Sequence, residues 1–159
     1  MIDPAHYREL VLRPTLEVIN MWSKAAENLY MIIPLVESNL TYLEQIGGGG
    51  ALSLNQIEKG TYYDCQRYLN RRTDIKETIL SACFLDIMPP FEAIIWNLRL
   101  SICIARLKFW RKPEPLPHHN DAKGMWEIYK MHYNTPNGSA TPERFYRLWD
   151  TFISGYYVD

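Results

Sequence analysis

The chain is predicted to be mostly α-helical, a single domain over residues 1–159 with a long central helix and little or no β-structure. Three observations carry that prediction. Apolar residues recur at helical spacing through most of the chain. Ser23, the pair Thr73-Asp74 and the pair Thr141-Pro142 stand where helices start: a short polar side chain accepts from the free N–H groups of a first turn, and proline fits that turn without losing a bond. No segment alternates apolar and polar residues convincingly, the nearest being Ala51 to Leu54. A chain of 159 residues suits one domain and buries roughly two thirds of its unfolded surface, so it needs no metal or disulfide to fold.

The elements follow in order. Residues 4–20 place Tyr7, Leu10 and Val11 on one helical face, with Pro14 as a break or a new first turn. Ser23 caps a helix through AAENLYMIIPLVES, where Ala26, Leu29, Tyr30, Ile33 and Val36 form the apolar stripe and Pro34 introduces a kink or frees a carbonyl. A loop at Gly47–Gly50 precedes the short segment SLNQIEKG, and residues 61–71 read as a helix. Thr73 and Asp74 open a helix over IKETILSACFL, which Pro89 and Pro90 stop. The longest expected helix is FEAIIWNLRLSICIARLKFWRK, with Phe91, Ile95, Leu98, Ile102 and Ala105 on one face and Ile94 and Trp96 widening it. PEPLPHHND is a loop, residues 121–132 a helix and NTPNGSATP a turn. Thr141 then caps a last helix that turns Phe145, Leu148, Trp149 and Phe152 inward.

Composition narrows the function classes. A net charge of -1 gives no overall basic field for nucleic acid. The nearest basic cluster, Arg99, Arg106, Lys108, Arg111 and Lys112, reads as a solvated helix face. Aromatic residues reach 13%, which suits either a core of large rings or a groove that stacks sugars. Cys65, Cys83 and Cys103 are odd in number, lack metal or disulfide spacing and lie in apolar stretches, as expected of buried thiols. His118-His119 lacks the spacing of paired helical ligands, so neither a metal nor another cofactor is expected. The longest apolar stretch, LYMIIPLV, falls far short of the ~20 residues of a membrane span. The polar start MIDPAHYREL lacks the apolar region of a signal peptide, so synthesis in the cytoplasm is expected.

Three short segments carry candidate chemistry. Glu37-Ser38 ends an apolar helix, where a half-buried carboxyl stays protonated and serves as a general acid. Gly50 to Thr61 (GALSLNQIEKGT) combines backbone that permits close approach with the amide of Gln56, which both donates and accepts. Tyr129 to Pro136 (YKMHYNTP) offers a phenol and an amide, Tyr133 and Asn134, at a helix end.

Together these segments resemble the lytic transglycosylase and goose-type lysozyme group. Its pattern is Glu-Ser, then Gly-Ala-x-Gly-Leu-Met-Gln-Ile-x-Pro-x-Thr, then Ala-Tyr-Asn. Gly50, Ala51, Leu54, Gln56, Ile57 and Thr61 fall in register with the second block, and the likeness spans roughly residues 23–152. The chain is also similar to small lysozyme-like proteins of tailed phages. The resemblance implies a lysozyme-like helical fold and peptidoglycan glycan strands as the partner. Glu37 would be the catalytic acid, with Ser38, Gln56, Tyr133 and Asn134 binding substrate or orienting the acid. It further implies a virion protein, with other virion or tail proteins as partners, carried in a phage particle to the cell envelope. Departures stand at Ser53, Asn55, Lys59 and His132, where the family has Gly, Met, Pro and Ala. The first two bear on groove shape. A lone acid fits the transglycosylase route, in which the sugar's own N-acetyl and C6 hydroxyl replace a second carboxylate; Glu58 and Asp64 are the nearest second carboxylates in sequence. The alternative is a non-catalytic structural virion protein that keeps the fold, with the Tyr156-Tyr157 tail as an assembly surface.

Overall fold

The computed structural model describes residues 1–134 and 138–159, and among them helix dominates, as the spacing predicts. The first helical stretch is one run in three parts: α1 (Pro4–His6), a wider π-helical segment (Tyr7–Leu12) and α2 (Arg13–Val18). Pro14 sits at the first positions of α2 and the run continues through it. Tyr7 is buried as expected, but the π-helical register turns Leu10 out to solvent, 69% exposed, and buries Arg8 in its place.

α3 (Lys24–Ser38) begins where expected, with Ser23 Oγ accepting from Ala26 N at 3.0 Å. Every residue from Ala26 to Val36 is buried, so the helix is apolar nearly all round and forms the centre of the fold. It packs on α6, α8 and the π-helical segment. Pro34 lies inside it. Asn39 closes the helix in the left-handed conformation (φ 54°), and Leu40 N donates back to Pro34 O at 2.9 Å, so the chain turns sharply one turn past Pro34.

Residues 41–57 fold as a small irregular hairpin. Glu44 bridges Leu52, and Leu52 bridges Ile57, by antiparallel backbone pairs. Gly47 and Gly48, at φ 91° and 83°, make the turn at its tip, a conformation that costs glycine little. This is the brief strand character expected near Ala51, without a sheet among the described residues.

α4 (Lys59–Asn70) and α5 (Thr73–Ala82) follow. The expected long helix from Phe91 is broken: a 3₁₀ turn (Phe91–Ile94) precedes α6 (Leu98–Trp110), and Asn97 restarts the helix by accepting from Leu100 N at 3.1 Å. The break leaves Trp96 71% exposed instead of in the core. The central helix is therefore α3 rather than the segment from Phe91. The basic cluster is a solvated face only at its end, where Arg111 and Lys112 are exposed: Arg106 is buried and donates to Met21 O at 3.2 Å, Arg99 donates to Ala82 O, and Lys108 is half-buried. The three cysteines are buried and free, as expected.

α7 (Ala122–Tyr129) runs into a second π-helical turn (Lys130–Asn134). The turn expected over NTPNGSATP lies partly outside the described residues, at 135–137. α8 (Pro142–Phe152) starts as expected, Thr141 accepting from Arg144 N at 3.3 Å, and buries Phe145, Leu148 and Trp149. The Tyr156-Tyr157 tail folds back: Tyr156 lies under the Arg8 guanidinium, 3.8 Å from its ring centre, and donates to Glu9 at 3.1 Å. The tail is therefore packed on the first helical stretch, with Tyr156 still 38% exposed.

Candidate active site

Glu37 occupies the last turn of α3, at the wall of a cavity of about 410 Å³. The hairpin forms one side of that cavity, α6 contributes Lys108, and the second π-helical turn contributes Tyr133 and Asn134. Burial raises the Glu37 carboxyl above its ordinary range, against opposing hydrogen bonds from Tyr129 and Asn134 and the charges of Lys108 and Lys130. Tyr129 Oη donates to Glu37 Oε1 at 2.6 Å, and Asn134 Nδ2 donates to the same oxygen at 3.3 Å. Both donors take one carboxyl oxygen, and among the described residues no hydrogen bond reaches Oε2, the oxygen left for a proton and a ligand.

The π-helical turn explains how two residues five apart reach one acid. In α geometry a side chain five residues on lies about 140° further round the helix. The wider turn, with its i to i+5 repeat, returns Tyr129 and Asn134 to the same side. Asn134 is itself oriented: Lys130 Nζ donates to Asn134 Oδ1 at 2.7 Å and to Gly138 O at 2.7 Å, so the amide nitrogen is the end facing Glu37. Gly138 is needed there, because a Cβ would meet Asn134 O at 2.3 Å.

Gln56 lines the cavity as expected. Its backbone is left-handed (φ 50°) and its Nε2 donates to Ser53 O at 2.8 Å, which leaves the amide oxygen for the cavity. Ser38 does not reach the cavity. It is buried, and its hydroxyl bonds Pro34 O at 3.1 Å and Leu54 O at 2.7 Å, so it pins the hairpin to α3 instead of binding substrate. Tyr133 lines the cavity with its ring but sends its hydroxyl inward to Asn55 O at 2.7 Å, so the phenol that meets the acid is Tyr129 and not Tyr133.

The two departures expected to alter groove shape point away from it. Ser53 and Asn55 are buried and meet Ser101 of α6, with Ser101 Oγ to Ser53 Oγ at 2.7 Å and Asn55 Nδ2 to Ser101 Oγ at 2.9 Å. Ser53 holds φ 70°, a conformation that favours glycine. Of the second carboxylates, Asp64 pairs with Arg67 outside the cavity, whereas Glu58 lines it together with Glu44, which sequence spacing did not single out. Lys108 adds a half-buried cation at 4.2 Å over the Tyr133 ring; burial lowers its pKa against the pull of Glu58 and Glu37. Tyr129, Lys130, Lys108 and Glu44 are the site residues missed by sequence. Only Lys130, four residues before Asn134, carried a local signal.

No protein-family model, curated protein or solved structure matches the chain.

Proposed function

We propose that the protein cleaves the glycan strands of peptidoglycan, with Glu37 as the catalytic acid. The observation that carries this reading is a carboxyl whose pKa burial raises, held by two donors at the wall of an open polar cavity. Such a group keeps its proton to higher pH than free glutamate does, which a general acid requires. Glu37 protonates the glycosidic oxygen and the C1–O bond breaks. The new carboxylate is stabilised by Tyr129 and Asn134, which donate to it without moving. It then takes a proton from an attacking hydroxyl, either the sugar's own C6 hydroxyl or water. Gln56 and the Tyr133 ring supply polar and aromatic contacts for a sugar in the cavity. Glu58 and Glu44 border the same space as second carboxylates, so both the anhydro-forming and the hydrolytic outcome are chemically available. Delivery in a phage particle belongs to the same proposal, on the resemblance alone.

Digestion of purified peptidoglycan by the intact protein and by Glu37→Gln, with products identified by mass, tests the reading. Anhydro-muropeptides from the intact protein alone establish a transglycosylase. Reducing ends alone establish a hydrolase. No product from a folded intact protein sinks the reading.

A second reading, a non-catalytic virion part, draws on one observation. Phe84, Ile87 and Trp96 are 87%, 76% and 71% exposed, all between the end of α5 and the start of α6. Exposed large apolar groups close together in the chain suit a protein contact. Replacing them with serine and finding glycan cleavage intact but assembly lost would assign them to that role.

A further inference from the structure

Away from the Glu37 cavity, and sharing none of its lining residues, three ligand-type side chains converge. His118 and His119 belong to the loop between α6 and α7, and Asp159 reaches them from beyond α8. His119 Nε2 lies 3.0 Å from Asp159 Oδ1, and His118 Nε2 lies 3.5 Å from the same oxygen. One donor atom from each residue fits within a span of 4.8 Å. For a metal ion held at ~2.0–2.2 Å by nitrogen and oxygen in a tetrahedron, neighbouring donor atoms stand roughly 3.4 Å apart. The two separations, 3.0 Å and 3.5 Å, lie near that edge.

The surroundings are those of a held ligand set. His119 is 8% exposed, yet its buried Nε2 has no hydrogen-bond partner among the described residues; the nearby carboxylate oxygen is close but poorly aligned. A buried ring nitrogen without a bonded partner is costly, and a metal ion satisfies it. The backbone of His119 is fixed to α3 by Asn28 Nδ2, which donates to His119 O at 3.0 Å, and its ring sits edge-on to Tyr157 at 5.9 Å. Asp159 Oδ2 accepts from Asn120 Nδ2 at 3.2 Å, which aims Oδ1 at the imidazoles. Asp121, the acid adjacent in sequence, is absent from the cluster because its side chain caps α7 by accepting from Gly124 N at 2.9 Å.

We propose that His118, His119 and Asp159 bind a divalent transition-metal ion of the zinc class, through two imidazole nitrogens and one carboxylate oxygen, with a fourth position open to water. The donor set favours zinc, cobalt or nickel over calcium or magnesium, which take oxygen ligands. Coordination through His118 Nε2 puts that ring's proton on Nδ1, so the contact from Asn120 N to His118 Nδ1, at 3.2 Å, is given up. His119 and Asp159 are thus the stronger ligands. The ion clamps the tail to the 118–120 loop and, through Asn28, to the central helix. Binding therefore stabilises the folded chain.

The test is titration of the chelator-treated full chain with cobalt(II), followed by visible absorption, and with zinc(II), followed by calorimetry and thermal unfolding. The expected result is a single bound ion, the intense visible bands of tetrahedral cobalt and a melting temperature that rises with zinc concentration. His119→Gln and Asp159→Asn each abolish all three, and Asn120→Ala weakens binding by roughly 10–100-fold, as for other residues that orient a ligand. Asp159 is exposed, so Asp159→Asn folds even where His119→Gln fails to. Absence of heat and absorption in the folded protein overturns the proposal. So does binding that survives both substitutions unchanged, which places the ion elsewhere, as at Cys83 and Cys103.

Discussion

Glu27 and Glu37 stand on the same helix, ten residues apart, and the fold treats them in opposite ways. Glu27 is fully buried and ringed by donors: Arg8 at 3.0 Å, Arg13 at 2.9 Å on both oxygens, and Trp22 Nε1 at 2.7 Å. Burial alone would raise its pKa, but these bonds outweigh it and hold the carboxyl below its ordinary range. Glu37 is less buried, yet among the described residues only a phenol and an amide bond it, and its pKa is raised. The lesson is that burial does not decide the charge of a carboxyl; bonded cations do. Glu27 is an ion that holds the first helices and the tail together. Glu37 is a carboxyl that burial biases towards its protonated form.

Breaking each carboxyl separately sharpens that contrast. The largest effects come from the acids themselves. On peptidoglycan, Glu37→Gln loses roughly 10²–10⁴-fold in rate, the ordinary worth of a general acid. The same substitution raises stability at neutral pH by on the order of 1 kcal/mol, because burial disfavours the ionised carboxyl in the folded chain while the unfolded chain ionises freely. A lower melting temperature for Glu37→Gln would show that the carboxyl is not held protonated. Glu27→Gln acts in the opposite sense, leaving Arg8 buried beside a neutral group and costing about 3–5 kcal/mol in urea unfolding. A loss under 1 kcal/mol would show that the arginines re-pair elsewhere.

The pH dependence has opposite signs as well. A carboxyl with a lowered folded pKa contributes stability above the ordinary carboxylate range and loses it as pH falls through the lowered value. A carboxyl with a raised folded pKa contributes stability below that range and loses it as pH rises through the raised value. Unfolding free energies followed from acid to neutral pH should therefore show the deficit of Glu27→Gln shrinking in acid. The advantage of Glu37→Gln over the intact chain should grow towards neutrality. Parallel curves for the two variants would refute the contrast.

Smaller effects come from the groups that tune Glu37. Tyr129→Phe removes a donor that favours the ionised acid, so the Glu37 pKa moves further up, and stability falls by about 1 kcal/mol. Carbon-13 titration of the Glu37 carboxyl reads the shift; a downward move contradicts the assignment of Tyr129. Lys130→Met frees the Asn134 amide to turn, with a loss of less than about tenfold in rate and about 1 kcal/mol in stability. The lost charge also moves the Glu37 pKa up, so an unchanged carboxyl titration in that variant would mean that neither the lysine's charge nor its hold on Asn134 bears on the acid.

Much of the helical content was determined by sequence alone, because a helix is specified by periodicity and by caps that lie within a few residues of one another. Ser23, Asp121 and Thr141 cap their helices by contacts three residues long. The position of Glu37 at a helix end beside a glycine loop was legible for the same reason, as was Gln56 on the facing segment. The tertiary structure decided what depends on distant partners or on departures from the α repeat. Asn97 breaks the segment from Phe91 because its amide serves both Leu100 N and Cys83 O, the second fourteen residues away. Ser38 looked like part of the site until Leu54 O claimed its hydroxyl. Asn134 joins Tyr129 on Glu37, 97 residues away, because the chain widens into a π-helical turn, which no reading at α spacing anticipates. Whether a glutamate is an ion or an acid was settled last of all. Glu27 and Glu37 sit in similar apolar sequence, and only the folded chain brings two arginines to one and none to the other.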